Sequence, residues 1–337
     1  MWTTFKMALL IGGLAFSSAA MSFSHEAGKQ PDAAKSERLK VGLVLGGGGA
    51  KGAAEVGVLK VIEQVGIPID YIAGTSIGAI IGGLYATGHS AAEIDTMFRS
   101  QKWLSLLTDR NEYRASSVIS TEDSTTYVLG FPIGRKPRKR RTIGIMRGDH
   151  IVHLLDSMTG QPDSINFDHL PIPFRCVAAD MKNRKEVVLR NGHLAMCMRA
   201  SMAIPGAFKP VVMDSLVLYD GGMLNNLPVD VVRAMGADVV IAIDLTQNKR
   251  EARDFSLRET LGIGGIMDWM VSRPDLVKYN QNRRNAEVYI NPNLSGYGAS
   301  SFSKQKIAEM MNIGERTAII NRKSLEKLKK RVELGVR

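Results

Sequence analysis

A serine between two glycines is the residue of this chain best suited to nucleophilic chemistry. Ser76 lies in Gly-Thr-Ser-Ile-Gly, residues 74–78, between an apolar run and a segment of helical character. A nucleophilic serine on such a turn has a strained backbone that leaves no room for side chains two residues to either side, which suits Gly74 and Gly78. The pentapeptide alone is weak evidence, because serine is also a common helix N-cap.

A serine nucleophile needs a base, and the histidines are poorly placed to supply one. In α/β-hydrolases the order along the chain is serine, acid, histidine, whereas no histidine follows residue 193 here. His150 and His193 could approach Ser76 in the fold, although a core or surface role is the simpler interpretation of each. A histidine-containing triad in the usual order is therefore excluded for an acid that lies beyond residue 193.

Asp220 is the strongest candidate for the base. It ends an apolar run and is followed by Gly221 and Gly222, which let the chain turn sharply. A partly buried carboxylate within hydrogen-bond reach of a hydroxyl can take its proton directly. The sequence therefore predicts a Ser76–Asp220 dyad.

A glycine-rich loop after the first apolar run could bind an anion. Attack by a serine on an ester carbonyl creates an oxyanion, which backbone N–H groups stabilise when they already point at it. Glycines leave successive N–H groups unshielded. The candidate residues of this oxyanion hole are Gly47, Gly48, Gly49, Lys51 and Gly52.

The same loop also resembles two nucleotide-binding patterns. Its glycines fit G-x-G-x-x-G, but the acid expected about 20 residues later at the end of the second strand is missing there, since Asp70 precedes that strand. The P-loop pattern fails because Lys51 is followed by Gly52 and not by Ser or Thr. A nucleotide- or phosphate-binding, membrane-associated protein without hydrolase activity remains the alternative.

The elements that must position these residues alternate between strand and helix. Short apolar runs bounded by Gly or Pro are separated by segments with helical periodicity, which predicts an α/β fold with a largely parallel or mixed sheet covered on both faces. We expect the core of the domain over residues 39–245, interrupted by an excursion or flap over residues 105–148. Residues 246–337 are expected to form a helical extension packed on the same domain.

The N-terminus has the pattern of a secretory signal peptide. One lysine precedes a ten-residue apolar stretch and then small residues near position 20, and this stretch is too short to span a bilayer. We expect a signal peptide over residues 1–20, a flexible leader over residues 21–38, and export of the protein. An uncleaved anchor and an apolar N-terminal helix packed on the domain are the alternatives.

The composition is that of a globular protein with a basic surface. Of the 337 residues, 45% are hydrophobic and 23% are charged, so extensive disorder and a polytopic membrane protein are both excluded. The net charge of +11 is partly concentrated in residues 135–141, where six of seven residues are basic. For an exported protein this cluster favours an anionic membrane surface over nucleic acid, with a solvated loop as the alternative. Cys176 and Cys197 are expected to be buried structural residues.

Taken in order, the three glycine-containing motifs resemble the signature blocks of the patatin-like phospholipases. The blocks are residues 47–52, residues 74–78 and residues 220–222, and residues 199–211 and 225–230 are also similar to that family. The resemblance covers about residues 40–245.

The resemblance implies a three-layer α/β/α fold with a mostly parallel central sheet and a lipid acyl hydrolase. Ser76 would be the nucleophile and Asp220 the general base, and the glycine block would form the oxyanion hole, with Lys51 where the family carries Arg or Lys. Neither a cofactor nor a metal is implied. The implied partners are a lipid or phospholipid substrate and a membrane surface, and the oligomeric state is left open.

Overall fold

An eight-stranded sheet runs through the middle of the computed structural model, which describes residues 38–109, 146–160, 164–247 and 276–336. A separate two-stranded pair is formed by β3 and β6. The strands are β1 (Val41–Leu45), β2 (Tyr71–Thr75), β3 (Ile165–Asn166), β4 (Phe174–Asp180), β5 (Lys185–Leu189), β6 (Asn191–Gly192), β7 (Val211–Met213), β8 (Leu216–Asp220), β9 (Val239–Ile243) and β10 (Val288–Ile290).

The large sheet is mostly parallel. Its order is β10-β9-β1-β2-β4-β8-β7, and β5 also pairs with β4. The pairs from β10 to β4 are parallel, whereas β5, β8 and β7 are joined by antiparallel pairs. The predicted fold class, a mixed α/β protein with a mostly parallel central sheet, is confirmed.

Helices cover both faces of this sheet. They are α1 (Ala53–Val65), α2 (Ile77–Ala86), α3 (Ala91–Ser100), α4 (Trp103–Thr108), α5 (Asp149–Thr159), α6 (Leu194–Ser201), α7 (Val229–Ala234), α8 (Leu276–Arg284), α9 (Lys304–Ile320) and α10 (Arg322–Leu334). Leu43 of β1 packs in one core with α1, α2, α9 and α10, while its neighbour Val44 packs in a second core with α7 and Tyr279 of α8. All five residues of β1 are buried, as expected for a parallel strand covered on both faces.

The C-terminal region contributes a strand as well as helices. β10 pairs with β9 at the edge of the sheet, a strand that the prediction of a helical extension did not include; residues 248–275 of that extension lie outside the described residues. Helix α9 crosses α1 at glycines, since a Cβ on Gly314 would lie 1.9 Å from Ala54 O and a Cβ on Gly57 would lie 2.1 Å from Met311 O. The two backbones are therefore in direct contact.

Several predictions concern segments outside the described residues. The signal peptide over residues 1–20, the leader up to residue 37 and the basic cluster at 135–141 all fall there, as do residues 110–145 of the excursion. The described residues group into one compact unit. Among the described helices, none has both the length and the apolar character needed to cross a membrane.

Candidate active site

Strands β2 and β8 end against each other because both pair with the same edge of β4. Thr75, the last residue of β2, pairs with Val177 in a parallel register. Asp220, the last residue of β8, pairs with Ala178 in an antiparallel register. Strand β5 pairs with β4 through this same stretch, so β2 and β8 must share the opposite edge. The carboxyl ends of β2 and β8 therefore face each other, and the residue after Thr75 lies next to Asp220.

Ser76 occupies a strained turn between β2 and α2. Its φ of 56° and ψ of −122° lie in a region that residues with side chains rarely adopt. A Cβ on Gly74 would lie 2.3 Å from Gly78 O, and a Cβ on Gly78 would lie 2.3 Å from Leu45 O. Neither position has room for a side chain, so the turn is closely packed around the serine.

The Ser76 hydroxyl donates a hydrogen bond to Asp220. Ser76 Oγ lies 2.8 Å from Asp220 Oδ2, and Asp220 Oδ1 accepts the Gly222 N–H at 2.7 Å. Both side chains are almost fully buried. Burial raises the pKa of Asp220 to about 7, although the hydrogen bonds from Gly222 and Ser76 lower it. A carboxyl group with this pKa can exchange a proton near neutral pH, as a general base must.

The turn at Asp220 is held against β4 and against the segment that follows α6. The Asp220 N–H donates to Ala203 O at 2.9 Å, and a Cβ on Gly221 would lie 2.2 Å from Val177 O. Glycine at this position lets the turn approach the strand closely. The main chain is therefore fixed both at Asp220 and at the residue that follows it.

Ser201, the last residue of α6, holds the backbone of Ser76. The Ser76 N–H donates to Ser201 Oγ at 2.8 Å, and Ser201 Oγ donates to Val177 O at 2.5 Å. Ser201 is fully buried. Sequence reasoning gave it no role, although it lies within the segment 199–211 that carried part of the family resemblance.

The glycine loop lies beside the serine and offers two N–H groups. The Gly47 N–H donates to Asn226 O at 3.2 Å, and the Lys51 N–H donates to Gly48 O at 3.2 Å. Within the described parts of the chain, the N–H groups of Gly48 and Gly49 donate no hydrogen bond. Of the five predicted loop residues, Gly47 and Lys51 thus have their N–H groups engaged within the protein, whereas those of Gly48 and Gly49 are open to an anion.

Close contacts fix the loop against the nucleophile turn. A Cβ on Gly47 would lie 3.2 Å from the Ser76 Cβ, and a Cβ on Gly52 would lie 2.4 Å from Ile77 Cγ1 at the start of α2. Lys51 is buried in the single 3-10 turn that ends the loop, Gly49–Gly52. The loop, the nucleophile turn and the acid turn thus form one continuous site.

The two histidines considered as bases lie in other contacts. His193 Nε2 is 3.1 Å from Asp156 Oδ1, and the backbone N–H of His150 donates to Asp109 Oδ1 at 3.0 Å. In the portion of the protein that the structure describes, no histidine is hydrogen-bonded to Ser76 or Asp220. The side chain that accepts the hydrogen bond of the Ser76 hydroxyl is therefore Asp220.

Asp70, the acid considered for a ribose, lies at the opposite end of the sheet. Its carboxylate accepts the Val41 N–H at 2.8 Å and forms an ion pair with Arg38. Val41 begins β1, whereas the glycine loop follows the end of that strand. Asp70 is therefore too far from the loop to act with it on a nucleotide.

Sequence reasoning gave no role to two buried polar residues near the loop, although one of them, Asn226, lies in the segment 225–230 that carried part of the family resemblance. Asn226 donates from Nδ2 to Gly47 O at 3.1 Å. Glu55, in the first turn of α1, is fully buried, and neither carboxyl oxygen forms a hydrogen bond of normal geometry with the described residues. Burial raises the pKa of Glu55 well above its ordinary value.

The two cysteines match the expectation of buried structural residues. Both are free thiols, and Cys176 Sγ donates to Cys197 O at 3.2 Å. Burial raises the pKa of the Cys197 thiol to about 12 and that of Cys176 well above its ordinary value. Neither thiol is a reactive nucleophile.

Comparison with known proteins identifies similar chains. The chain is 34% identical over 229 residues to patatin-like phospholipase domain-containing protein 6 from mouse and from human, which covers 66% of this chain and 15% of that protein. It is 33% identical over 207 residues to lysophospholipase NTE1 from Mycosarcoma maydis, covering 61% of this chain and 10% of that protein. The chain thus spans a small part of the length of these relatives.

Solved structures are similar at lower identity. The match to VipD from Legionella pneumophila has a TM-score of 0.47 at 15% identity and covers 85% of this chain and 67% of that one. The match to ExoU from Pseudomonas aeruginosa has a TM-score of 0.43 at 16% identity and covers 86% of this chain and 53% of that one.

A family model described as patatin-like phospholipase matches residues 43–233, which is more than half of the chain and includes the glycine loop, the serine turn and the acid turn. The chain belongs to the patatin-like phospholipase family.

Proposed function

We propose that this protein is a serine acyl hydrolase that cleaves carboxylic esters of lipids, with Ser76 as nucleophile and Asp220 as general base. The observation that carries the proposal is the 2.8 Å hydrogen bond between Ser76 Oγ and Asp220 Oδ2 at a strained strand-to-helix turn. Membership of the family and similarity to a lysophospholipase support a lipid as the substrate.

Acylation follows from this geometry. Asp220 takes the hydroxyl proton of Ser76 while Oγ forms a bond to the ester carbonyl carbon, and the carbonyl π electrons move onto oxygen. The N–H groups of Gly48 and Gly49 are the donors that stabilise this oxyanion, and one such donor contributes on the order of 3 kcal/mol to the transition state. When the carbonyl re-forms, the C–O bond to the alcohol breaks and Asp220 returns the proton to the leaving oxygen.

Deacylation uses the same residues. Asp220 takes a proton from water as the water oxygen attacks the acyl-serine carbonyl carbon. The second oxyanion collapses, the bond to Ser76 Oγ breaks, and the proton on Asp220 returns to the serine. The products are a free fatty acid and the alcohol portion of the lipid.

Covalent labelling tests the nucleophile. A fluorophosphonate probe should label the wild-type protein at Ser76 and leave Ser76→Ala unlabelled. Ser157→Ala is the control, because that serine is exposed on α5 and its hydroxyl donates to Leu154 O within its own helix. Labelling of Ser76→Ala at the wild-type rate would remove the assignment.

A lipid digest tests the reaction and its substrate. Phospholipid and lysophospholipid vesicles treated with wild type or Ser76→Ala would be analysed by mass spectrometry for fatty acid release. Release that depends on Ser76 supports the proposal. Thermal stabilisation by nucleotides without any ester turnover would support the alternative of a nucleotide-binding protein.

We further propose that the basic cluster at residues 135–141 draws the enzyme to anionic membranes. Each basic residue near such a surface contributes about 1 kcal/mol before screening by salt. Replacing its six basic residues by glutamine should reduce binding to phosphatidylserine vesicles at low salt and leave hydrolysis of a short soluble ester unchanged. Unchanged vesicle binding would refute this step.

The pattern at residues 1–20 supports export as a third proposal. Removal of this segment during secretion would leave a mature N-terminus shortly after residue 20. Mass spectrometry of the N-terminal peptide from the exported fraction checks this. An intact N-terminus on the exported protein would favour an uncleaved anchor instead.

A further inference from the structure

The side chain of Asn226 lies between the glycine loop and the acid turn. Its Nδ2 donates to Gly47 O at 3.1 Å. Its Oδ1 lies 2.3 Å from the place where a Gly47 Cβ would be and 2.7 Å from the place where a Gly222 Cβ would be. Asn226 is 2% exposed, so the carboxamide fills the space between the two turns.

Because the peptide bond is planar, the contact of Asn226 with Gly47 O also fixes the direction of the Gly48 N–H. In a trans peptide the C=O of one residue and the N–H of the next point in opposite directions. Holding Gly47 O toward Asn226 therefore holds the Gly48 N–H on the other side of the same peptide plane. This N–H has no hydrogen-bond acceptor among the residues described, and a Cβ on the adjoining Gly47 would lie 3.2 Å from the Ser76 Cβ.

We infer that Asn226 is a positioning residue of the reaction, which aims the Gly48 N–H at the substrate oxyanion through its hydrogen bond to Gly47 O. Glycine peptides rotate easily, since no side chain restricts them. A rotated peptide would present the Gly47 carbonyl oxygen where a donor is needed. The inference rests on the proposed function, because the oxyanion forms only if Ser76 attacks an ester.

Two separate hydrogen bonds join Asn226 to the loop. The main-chain Asn226 O accepts the Gly47 N–H at 3.2 Å and is untouched by a side-chain substitution. The side chain alone holds the Gly47 carbonyl. A variant at this position therefore keeps the loop attached while releasing the peptide that carries the Gly48 N–H.

The preceding asparagine provides a matched control. Asn225 has the same 2% exposure, but its Nδ2 donates to Glu186 and Asp230, and its Oδ1 accepts from Asn282. These contacts tie α8 to the rest of the fold and do not reach the glycine loop. Asn225→Ala removes a buried amide of equal size without releasing the Gly47 carbonyl.

The experiment compares Asn226→Ala and Asn226→Ser with Asn225→Ala. Each full-length variant would be measured for kcat, KM and thermal unfolding midpoint with a soluble ester. It would also be measured for inhibition by a long-chain trifluoromethyl ketone, whose carbonyl carbon bonds to Ser76 Oγ as Asp220 takes the proton and the ketone oxygen becomes an oxyanion. Asn226→Ser serves if Asn226→Ala does not fold.

For Asn226→Ala we expect kcat to fall on the order of 100-fold, with KM within about threefold of wild type, since one oxyanion donor is misdirected. The inhibition constant of the ketone should rise by a similar factor. Asn225→Ala should lower the unfolding midpoint and keep both values near those of wild type. A folded Asn226 variant with kcat within threefold of wild type would overturn the inference alone. If wild type and Ser76→Ala hydrolyse the ester equally, the proposed function and the inference both fail.

Discussion

The backbone N–H of Ser76 donates a 2.8 Å hydrogen bond to Ser201 Oγ, and this hydroxyl in turn donates to Val177 O. The turn that carries Ser76, the end of α6 and the middle of β4 are thus joined through one buried hydroxyl. The turn is strained, because Ser76 has a positive φ. Its geometry depends on contacts of this kind.

Ser201→Ala should therefore reduce both stability and activity. The change leaves a buried N–H and a buried C=O without their partner, which costs about 1–3 kcal/mol. We expect a lower unfolding midpoint and a fall in kcat of about tenfold, since Ser76 is no longer held in one conformation. Ser157→Ala, on the exposed face of α5, should change neither value. A Ser201→Ala enzyme with wild-type kcat would show that the Ser76 turn keeps its geometry without this hydrogen bond.

Comparing Ser76→Gly with Ser76→Ala should show how much the strained backbone at this position costs in stability, apart from the loss of the hydroxyl. Ser76→Gly and Ser76→Ala both remove the hydroxyl and should both be inactive. Only glycine adopts a φ of 56° with a ψ of −122° without strain. The relief of about 1–3 kcal/mol exceeds the entropy cost of a glycine in the unfolded chain, which is about 0.4–1 kcal/mol.

Ser76→Gly should accordingly be more stable than Ser76→Ala by about 1 kcal/mol. Denaturant unfolding of the two variants under the same conditions gives this difference directly. Equal stability would mean that the turn is not strained in solution.

As the pH rises, ionisation of Asp220 should increase the activity and decrease the stability of the protein. Burial raises its pKa from 3.8 to about 7, and only the ionised carboxylate can take the serine proton. The value of kcat/KM should rise about tenfold per pH unit below pH 7 and level off above it.

The stability prediction follows from linkage. The folded protein holds a proton on Asp220 between pH 3.8 and about 7, where the unfolded chain has lost it. Stability from this group is therefore present at low pH and is lost as the pH rises through 7. Between pH 5 and pH 8 the loss is about 3 kcal/mol, at about 1.4 kcal/mol per pKa unit.

Asp220→Asn should remove this dependence of stability on pH. The variant should be folded and inactive, and its stability relative to wild type should increase from pH 5 to pH 8. Urea unfolding of both proteins at these two pH values measures the difference. The same difference at both values would mean that Asp220 titrates at its ordinary pKa.

Local sequence patterns were sufficient for the strands that carry the site and for the two proposed reacting residues, but not for the contacts that bring them together. Apolar runs bounded by glycine indicated β1, β2 and β8, and glycine spacing indicated Ser76 and Asp220. The meeting of β2 and β8 on one edge of β4 depends on pairing between distant segments, which no local pattern encodes.

The supporting residues were missed for the same reason. Ser201 is 125 positions from the residue it holds, and Asn226 is 179 positions from Gly47. Serine and asparagine are common in turns, so their residue types carry no signal for these contacts. The three-residue strand β10 was missed because it is too short to show a period.

Replacing Glu55 by an apolar residue should stabilise the folded protein. Its carboxyl is fully buried and forms no hydrogen bond of normal geometry within the described part of the chain, and burial raises its pKa well above the ordinary value. Glu55→Met has a similar volume and removes the desolvated group, so the free energy of unfolding should rise by about 1–3 kcal/mol. Glu326→Met, at an exposed site on α10, is the control and should change little. A loss of stability in Glu55→Met would show that the carboxyl has a partner in solution.

The contact between α1 and α9 should be intolerant of even one methyl group. A Cβ on Gly314 would lie 1.9 Å from Ala54 O, a backbone atom that cannot move without shifting the helix. Gly314→Ala should therefore destabilise the protein by about 1–3 kcal/mol or more, despite the higher helix propensity of alanine. Gly82→Ala in α2 is the matched control, because a Cβ there would lie 3.0 Å from Ile72 Cγ2, a side-chain atom that can adjust. Thermal unfolding should show a far larger decrease for Gly314→Ala, and equal decreases would mean that α9 does not pack this closely on α1 in solution.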